Sequence, residues 1–152
     1  MTTKPTYLGL LNAISNGETQ AARYFKAWLD LTSDPAVRAV LQVVVNREAE
    51  HGLAFEKRLL ELGYSLIERP SPEAEAKLGV LSDPNRSDLD KILYLGYGEP
   101  RDDPFGRLFD DHSIDPQTGG LLGRYVAEER DTIRRLRALA ETLKDRSAQK
   151  AA

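Results

Sequence analysis

Residues 34–51 read DPAVRAVLQVVVNREAEH, and residues 115–132, a constant 81 positions later, read DPQTGGLLGRYVAEERDT. Both stretches open on Asp-Pro, and Leu41, Val45 and Glu48 of the first reappear as Leu122, Val126 and Glu129 of the second. Asp followed by Pro is a helix start: the carboxylate accepts from orphan N–H groups, and proline at the first helical position gives up an N–H that would have no partner. Apolar residues then recur every three or four positions. Val37, Leu41, Val44, Phe55, Leu59 and Leu62 line one stripe, and Leu122, Val126, Ile133, Leu136, Ala140 and Leu143 line the other, as in amphipathic helices. Each stripe contains a glutamate.

Working outward, the same offset pairs Gly17-Glu18 with Gly98-Glu99 and Leu62 with Leu143. Residues 7–62 set against 88–143 give ten identities in 56 positions, the mark of an internal repeat. Glu18 and Glu48 are 30 residues apart, as are Glu99 and Glu129. Upstream of Asp34, the residues Tyr7, Leu11, Ile14, Glu18, Ala22, Phe25 and Leu29 form a further helical stripe. The joint Ser33-Asp34-Pro35 is so short that the first two helices must form an antiparallel hairpin, over about 5–63. Gly63, Pro70, Pro72, Gly79 and Pro84 interrupt the stretch 64–86, leaving room for a turn or two of helix from Ser71 to Leu78. Ser87, with Asp90 three residues on, opens a third helix whose stripe runs Leu89, Ile92, Leu93, Gly96, Glu99. Pro100 and Pro104 kink or interrupt it before Phe105, Leu108 and Phe109 resume the apolar pattern. Residues 144–152 are polar and small and read as a frayed tail. The expected fold is all-α: one domain over 1–152, a four-helix up-down bundle of two duplicated hairpins, the second over about 87–147, with 64–86 as a long crossover.

Composition narrows the function. The chain has 152 residues, a formal charge of −3 and no cysteine. Disulfides, thiolate catalysis and iron–sulfur ligation are thereby excluded. No basic stripe suits a phosphate backbone, and Arg130, Arg134, Arg135 and Arg137 read as the wet face of the last helix. No apolar run approaches a membrane span, and Thr2-Thr3-Lys4 does not resemble a signal-peptide core. A soluble, cytoplasmic protein without nucleic-acid or membrane partners is expected.

A carboxylate inside an apolar stripe is costly unless paired, protonated or bound to a metal. Four of them, Glu18, Glu48, Glu99 and Glu129, at matched depth on four helices are the layout of a di-metal carboxylate bundle. His51 follows Glu48 by three residues on the same face, so the two can offer an oxygen and an imidazole nitrogen to one ion. Carboxylates with an imidazole suit iron or manganese. On the last helix Glu128-x-x-Asp131 competes with Glu129. At about 100° per residue Glu129 sits in the stripe and Asp131 nearly opposite, and the offset of 81 also selects Glu129. Thr132 then stands where the first repeat has His51, so one half of the site lacks an imidazole. His112 reads as a surface or helix-end histidine. Tyr24, Phe25 and Trp28 read as core or interface aromatics. Tyr94, Tyr97 and Tyr125 lie at the depth of the site, where packing is their default role and hydrogen bonding to its ligands an option.

The phrase Gly17-Glu18-Thr19-Gln20-Ala21-Ala22-Arg23-Tyr24 resembles the opening of rubrerythrins, within the ferritin-like superfamily. Glu48-Ala49-Glu50-His51 is similar to that family's first Glu-x-x-His, and Val126-Ala127-Glu128-Glu129 followed by Arg134-Arg135-Leu136 to its last helix. The resemblance covers the first, second and fourth helices well and the third poorly. It implies a ferritin-like bundle with a carboxylate-bridged centre of two iron or manganese ions; Thr132 in place of the second histidine departs from the family and leads us to expect that only one of them is held tightly. The ligands would be Glu18, Glu48, His51, Glu99 and Glu129. In that family the centre reduces peroxide, fed by a cysteine-rich module absent here, so an external electron donor is implied; relatives oxidise or store iron. Two functional classes are carried forward: a redox or iron-handling metalloprotein, and a degenerate bundle with one ion or none acting as a binding or assembly module. The aromatic residues Tyr24, Trp28 and Tyr64 lead us to expect a homodimer; no fifth-helix segment that a 24-subunit cage would use follows Leu143.

Overall fold

Asp34 and Asp115 each start a long helix. The computed structural model describes residues 3–152, and these contain five α-helices and no strand: α1 (Leu8–Leu31), α2 (Pro35–Glu61), α3 (Pro72–Leu81), α4 (Asp88–Tyr94) and α5 (Pro116–Ala151). Asp34 accepts from the amide of Ala36 at 2.9 Å and Asp115 from that of Thr118 at 2.9 Å, each with proline next. Ser71 caps α3 through the Ala74 amide, and Ser87 caps α4 through the Asp90 amide.

The core divides into two apolar clusters. One gathers Phe25, Trp28 and Leu29 of α1, Val37, Leu41 and Val44 of α2, and Leu136, Leu139, Ala140 and Leu143 of α5. The other gathers Leu11 and Ile14 of α1, Phe55 and Leu59 of α2, and Leu122, Tyr125 and Val126 of α5. The later part of α1 thus meets the early part of α2, and the late part of α2 meets the early part of α5. It follows that α1 and α2 are antiparallel, α2 and α5 are antiparallel, and α5 runs parallel to α1. Burying these large apolar side chains is what holds the helices, at roughly 1.5–3 kcal/mol per residue before the entropy of ordering the chain.

The connection from α2 to α4 returns along the bundle. Leu62, Tyr64 and Leu66 pack on the second cluster, Leu81 and Ile92 in the first. Asparagines and a glutamine spaced by four along α1 strap it down. Asn12 and Asn16 donate to the Ile67 carbonyl at 3.0 and 2.9 Å, their own carbonyls accept from the Ile67 and Arg69 amides, and Gln20 donates to the Arg69 carbonyl. At the far end Asp88 accepts from the fully buried Trp28 indole at 2.7 Å and from Thr32 at 2.8 Å.

The third helix departs from expectation. It ends at Tyr94, and residues 95–115 continue as turns and irregular chain. This segment still runs the length of the bundle: Leu95 and Tyr97 pack on the first cluster, and Phe105, Leu108 and Ile114 on the second. Gly96 takes φ +84°, where a side chain would be strained and where an added Cβ would collide with the Arg101 guanidinium. Pro100 and Pro104 each lack the N–H that a continuing helix would need. The two halves of the repeat therefore share their second helices, α2 and α5, and not their first. Two other expectations change. The tail is helical to Ala151, with Lys144 donating to the Gly98 carbonyl at 2.6 Å and Arg146 paired with Asp34 at 2.8 Å. Trp28, expected to help form an aromatic outer surface, is fully buried. Among the described residues, no helix is long and apolar enough to cross a membrane.

Candidate metal centre

Between the two apolar clusters lies a polar layer. It is made by Ser15 and Glu18 of α1, Glu48 and His51 of α2, and Glu129 and Thr132 of α5, all buried. Helical spacing puts them there, since each falls on the stripe that faces the other two helices. Close approach of α1 and α2 at this level depends on Gly52, whose carbonyl accepts from Ser15 Oγ at 2.8 Å; a Cβ on it would lie 2.4 Å from Thr19 Oγ1.

His51 is the hub. Its Nδ1 lies 3.4 Å from Glu18 Oε2 and 3.4 Å from Glu129 Oε1. Its Nε2 donates to Glu128 Oε2 at 2.6 Å. Glu128 is itself fixed by Arg124 at 3.0 Å, and Arg124 also reaches Glu50 at 2.6 Å. Glu18 accepts from the Tyr125 hydroxyl at 3.1 Å. The Tyr125 ring packs edge-on against His51 and Phe55.

The charges are strongly coupled. Burial pushes the Glu48 carboxyl well above its ordinary value, and the neighbouring carboxyls of Glu18 and Glu129 add to this. Burial likewise raises Glu129, opposed by the nearby imidazole. Burial alone would lower His51, but Glu129, Glu18 and Glu128 outweigh it and push the imidazole up to about 10. Tyr125, Tyr24 and Tyr97 are all raised, first by burial and then by these same carboxylates.

Glu18, His51 and Glu129 each offer one ligand atom, all within 4.8 Å of one another, and this buried group could hold a metal ion. Atoms each about 2.1 Å from one ion stand about 3–4 Å apart, so the 3.4 Å separations about Nδ1 fit. The buried Glu129 Oε1 has no hydrogen-bond partner, which such an ion would satisfy. A cavity of about 280 Å³, lined by Tyr24, Lys77, Tyr97 and Thr132 among others, reaches Glu18, Glu48 and Glu129.

Four of the five expected ligands meet in this layer. Glu99 does not: it lies five residues beyond the end of α4 and is exposed. Tyr97 lines the site's cavity instead. Thr132 is buried, but its hydroxyl accepts from Arg47 at 3.3 Å, and Arg47 is paired with Asp131 at 2.8 Å. His112 is exposed, as expected. The choice of Glu129 over Glu128 as the residue in the stripe agrees with the geometry, yet Glu128 also reaches His51 from the opposite edge. The adjacent acids Glu128-Glu129, with Arg124 four residues earlier, were the available signal for it. No protein-family model, curated protein or solved structure matches this chain at a significant level.

Proposed function

We propose that this chain is a ferritin-like metal-binding protein in which Glu18, His51 Nδ1 and Glu129 hold one divalent iron or manganese ion, with Glu48 as a further oxygen ligand. The observation that carries this reading is the environment of His51. One ring nitrogen is committed to Glu128 and the other faces two buried carboxylates, one of which has an oxygen without a partner. A mixed set of carboxylates and one imidazole favours iron(II) or manganese(II) over softer ions. The ferritin-like part of the reading is supported by helix directions: α5 parallel to α1 and antiparallel to α2, with a crossover returning along the bundle, is how such folds connect two hairpins.

One ion is favoured over two. A second position would draw on Glu99 and on an imidazole at 132, and here Glu99 is exposed while residue 132 is a threonine engaged by Arg47. A bound ion of this type supplies a Lewis acid and, for iron or manganese, a one-electron couple that small ligands could meet through the cavity. We include a homodimer in the proposal, because Leu53 and Leu60, one heptad apart on the outer side of α2, are 68% and 58% exposed; sedimentation at the monomer mass would remove that element.

Anaerobic titration of the metal-free chain with iron(II) and with manganese(II) tests the main reading. One ion per chain, lost in His51→Ala, is the expected result. Two ions would restore the di-metal centre. No binding would leave a metal-free network, in which protonated His51 bridges the carboxylates and the bundle serves as a binding module.

A further inference from the structure

Away from the polar layer, three arginines of α5 and one of the 95–115 segment converge on a cleft of about 350 Å³. Its walls are Arg130, Ile133, Arg134 and Arg137 on one side and residues 101–104 on the other. Arg130, Arg134 and Arg137 follow one another at intervals of four and three, so they share a face of the helix. Arg130 is paired with Asp103 at 2.5 Å and Arg134 with Asp131. Arg101 and Arg137 have no carboxylate partner among the described residues. Arg137 donates from Nη2 to the Arg101 carbonyl at 3.2 Å, and its buried Nε–H has no acceptor at all. Leaving a guanidinium N–H buried and unpaired is costly, and an anion seated in the cleft relieves that cost while supplying the counter-charge that Arg101 and Arg137 lack.

We propose that this cleft is a binding site for a phosphate group, engaged by Arg101 and Arg137 with Arg130 and Arg134 at its rim. The planar fork of a guanidinium matches the oxygens of a phosphate, and two forks from different elements fix its position. The concave shape and volume suit a small soluble ligand. Asp102 and Asp103 in the wall, and a chain charge of −3, oppose a long polyanion such as a nucleic acid. The site is separate from the metal centre: it lies along one flank of α5, and none of the residues lining it belongs to the buried polar layer.

Calorimetric titration of the intact, chelator-treated chain tests this, with inorganic phosphate in one arm and phenyl phosphate in the other, at low and constant ionic strength. One saturable site is expected. Arg137→Gln and Arg101→Gln should each weaken it about tenfold or more, while Arg107→Gln, a side chain exposed on the same segment, should leave it unchanged. Tighter binding of the free ion or of the ester identifies which source the site serves. Because Arg101 is exposed, its variant will fold even where Arg137→Gln does not. Absence of saturable binding in both arms, or equal weakening by Arg107→Gln and Arg101→Gln, would overturn the proposal.

Discussion

His51 Nε2 lies 2.6 Å from Glu128 Oε2, across the interface between α2 and α5. This contact fixes the plane of the imidazole and directs Nδ1 at Glu18 and Glu129. A carboxylate on the remote nitrogen of a ligating histidine orients it and raises its basicity. Glu128→Gln keeps the size and an acceptor oxygen but removes the charge. It should weaken iron(II) or manganese(II) binding about 10–100-fold while leaving the helical circular dichroism unchanged, whereas His51→Ala should abolish tight binding. Equal affinity in Glu128→Gln and the parent would mean that Glu128 does not position the ring.

Much of this was legible in the sequence, and the reasons differ by residue. Asp34, Ser71, Ser87 and Asp115 announced helix starts because capping is local chemistry. Glu18, Glu48, His51 and Glu129 were visible because a charged residue in an apolar stripe breaks the pattern. Glu99 lies outside the layer because Gly96, Pro100 and Pro104 outweigh an 81-residue offset: a missing N–H and a left-handed glycine act on the backbone directly. Asn12, Asn16 and Gln20, which strap the crossover to α1, gave no sign in the sequence because their partners are backbone groups more than 45 residues away.

Thr132→His bears on the number of ions. If the repeat alone governed the site, restoring the second imidazole would raise the stoichiometry towards two. With Glu99 exposed and Arg47 holding position 132, the added histidine has too few partners to form a second site. Elemental analysis of Thr132→His loaded with iron(II) should therefore still give one ion per chain, and a value near two would require residues 95–101 to rearrange on loading.

The protonation of the layer sets opposite pH trends for the metal-free and loaded forms. His51 is raised from its ordinary value of 6.5 to about 10, and Glu48 is raised as well. A folded-state pKa above the unfolded one gives stability that is complete below the unfolded value and is lost as pH rises through the folded value. Metal-free protein should thus lose stability between pH 6.5 and about 10, and urea midpoints should fall across that window. His51→Ala should flatten the His51 part of the slope. Metal binding must expel the Nδ1 proton, so affinity should rise with pH over the same range.

Asp115 links three parts of the chain. Besides capping α5, it accepts from the Tyr7 hydroxyl at 2.5 Å, the Thr118 hydroxyl at 2.6 Å and Arg58 Nη2 at 3.0 Å. The Thr118 and Tyr7 hydrogen bonds hold its carboxyl well below the ordinary range. Its stabilising effect is present above the unfolded value of about 4 and is lost as pH falls through the depressed folded value. Asp115→Ala removes the cap and leaves the buried Arg58 without that partner, so chemical denaturation should show a loss of about 2 kcal/mol. Asp115→Asn should retain much of the cap and lose the acid dependence.

Gly52 sits beside His51 where α1 and α2 approach closely. A methyl group there meets Thr19 Oγ1 at 2.4 Å and the Thr19 amide nitrogen at 3.2 Å. Rotation of the threonine side chain relieves the first contact but not the second, which is backbone. Gly52→Ala should therefore push α1 from α2, costing about 1–3 kcal/mol, less the fraction that alanine gains from its better helix propensity. Because Glu18 lies on α1 and His51 on α2, the same displacement should weaken metal binding. Thr19→Gly in the Gly52→Ala background removes the side-chain part of the clash and leaves the backbone part, so it should restore binding only partially. A double-mutant cycle on metal affinity measures this directly: a coupling near zero would mean that the helix separation at Gly52 does not set the spacing of the ligands.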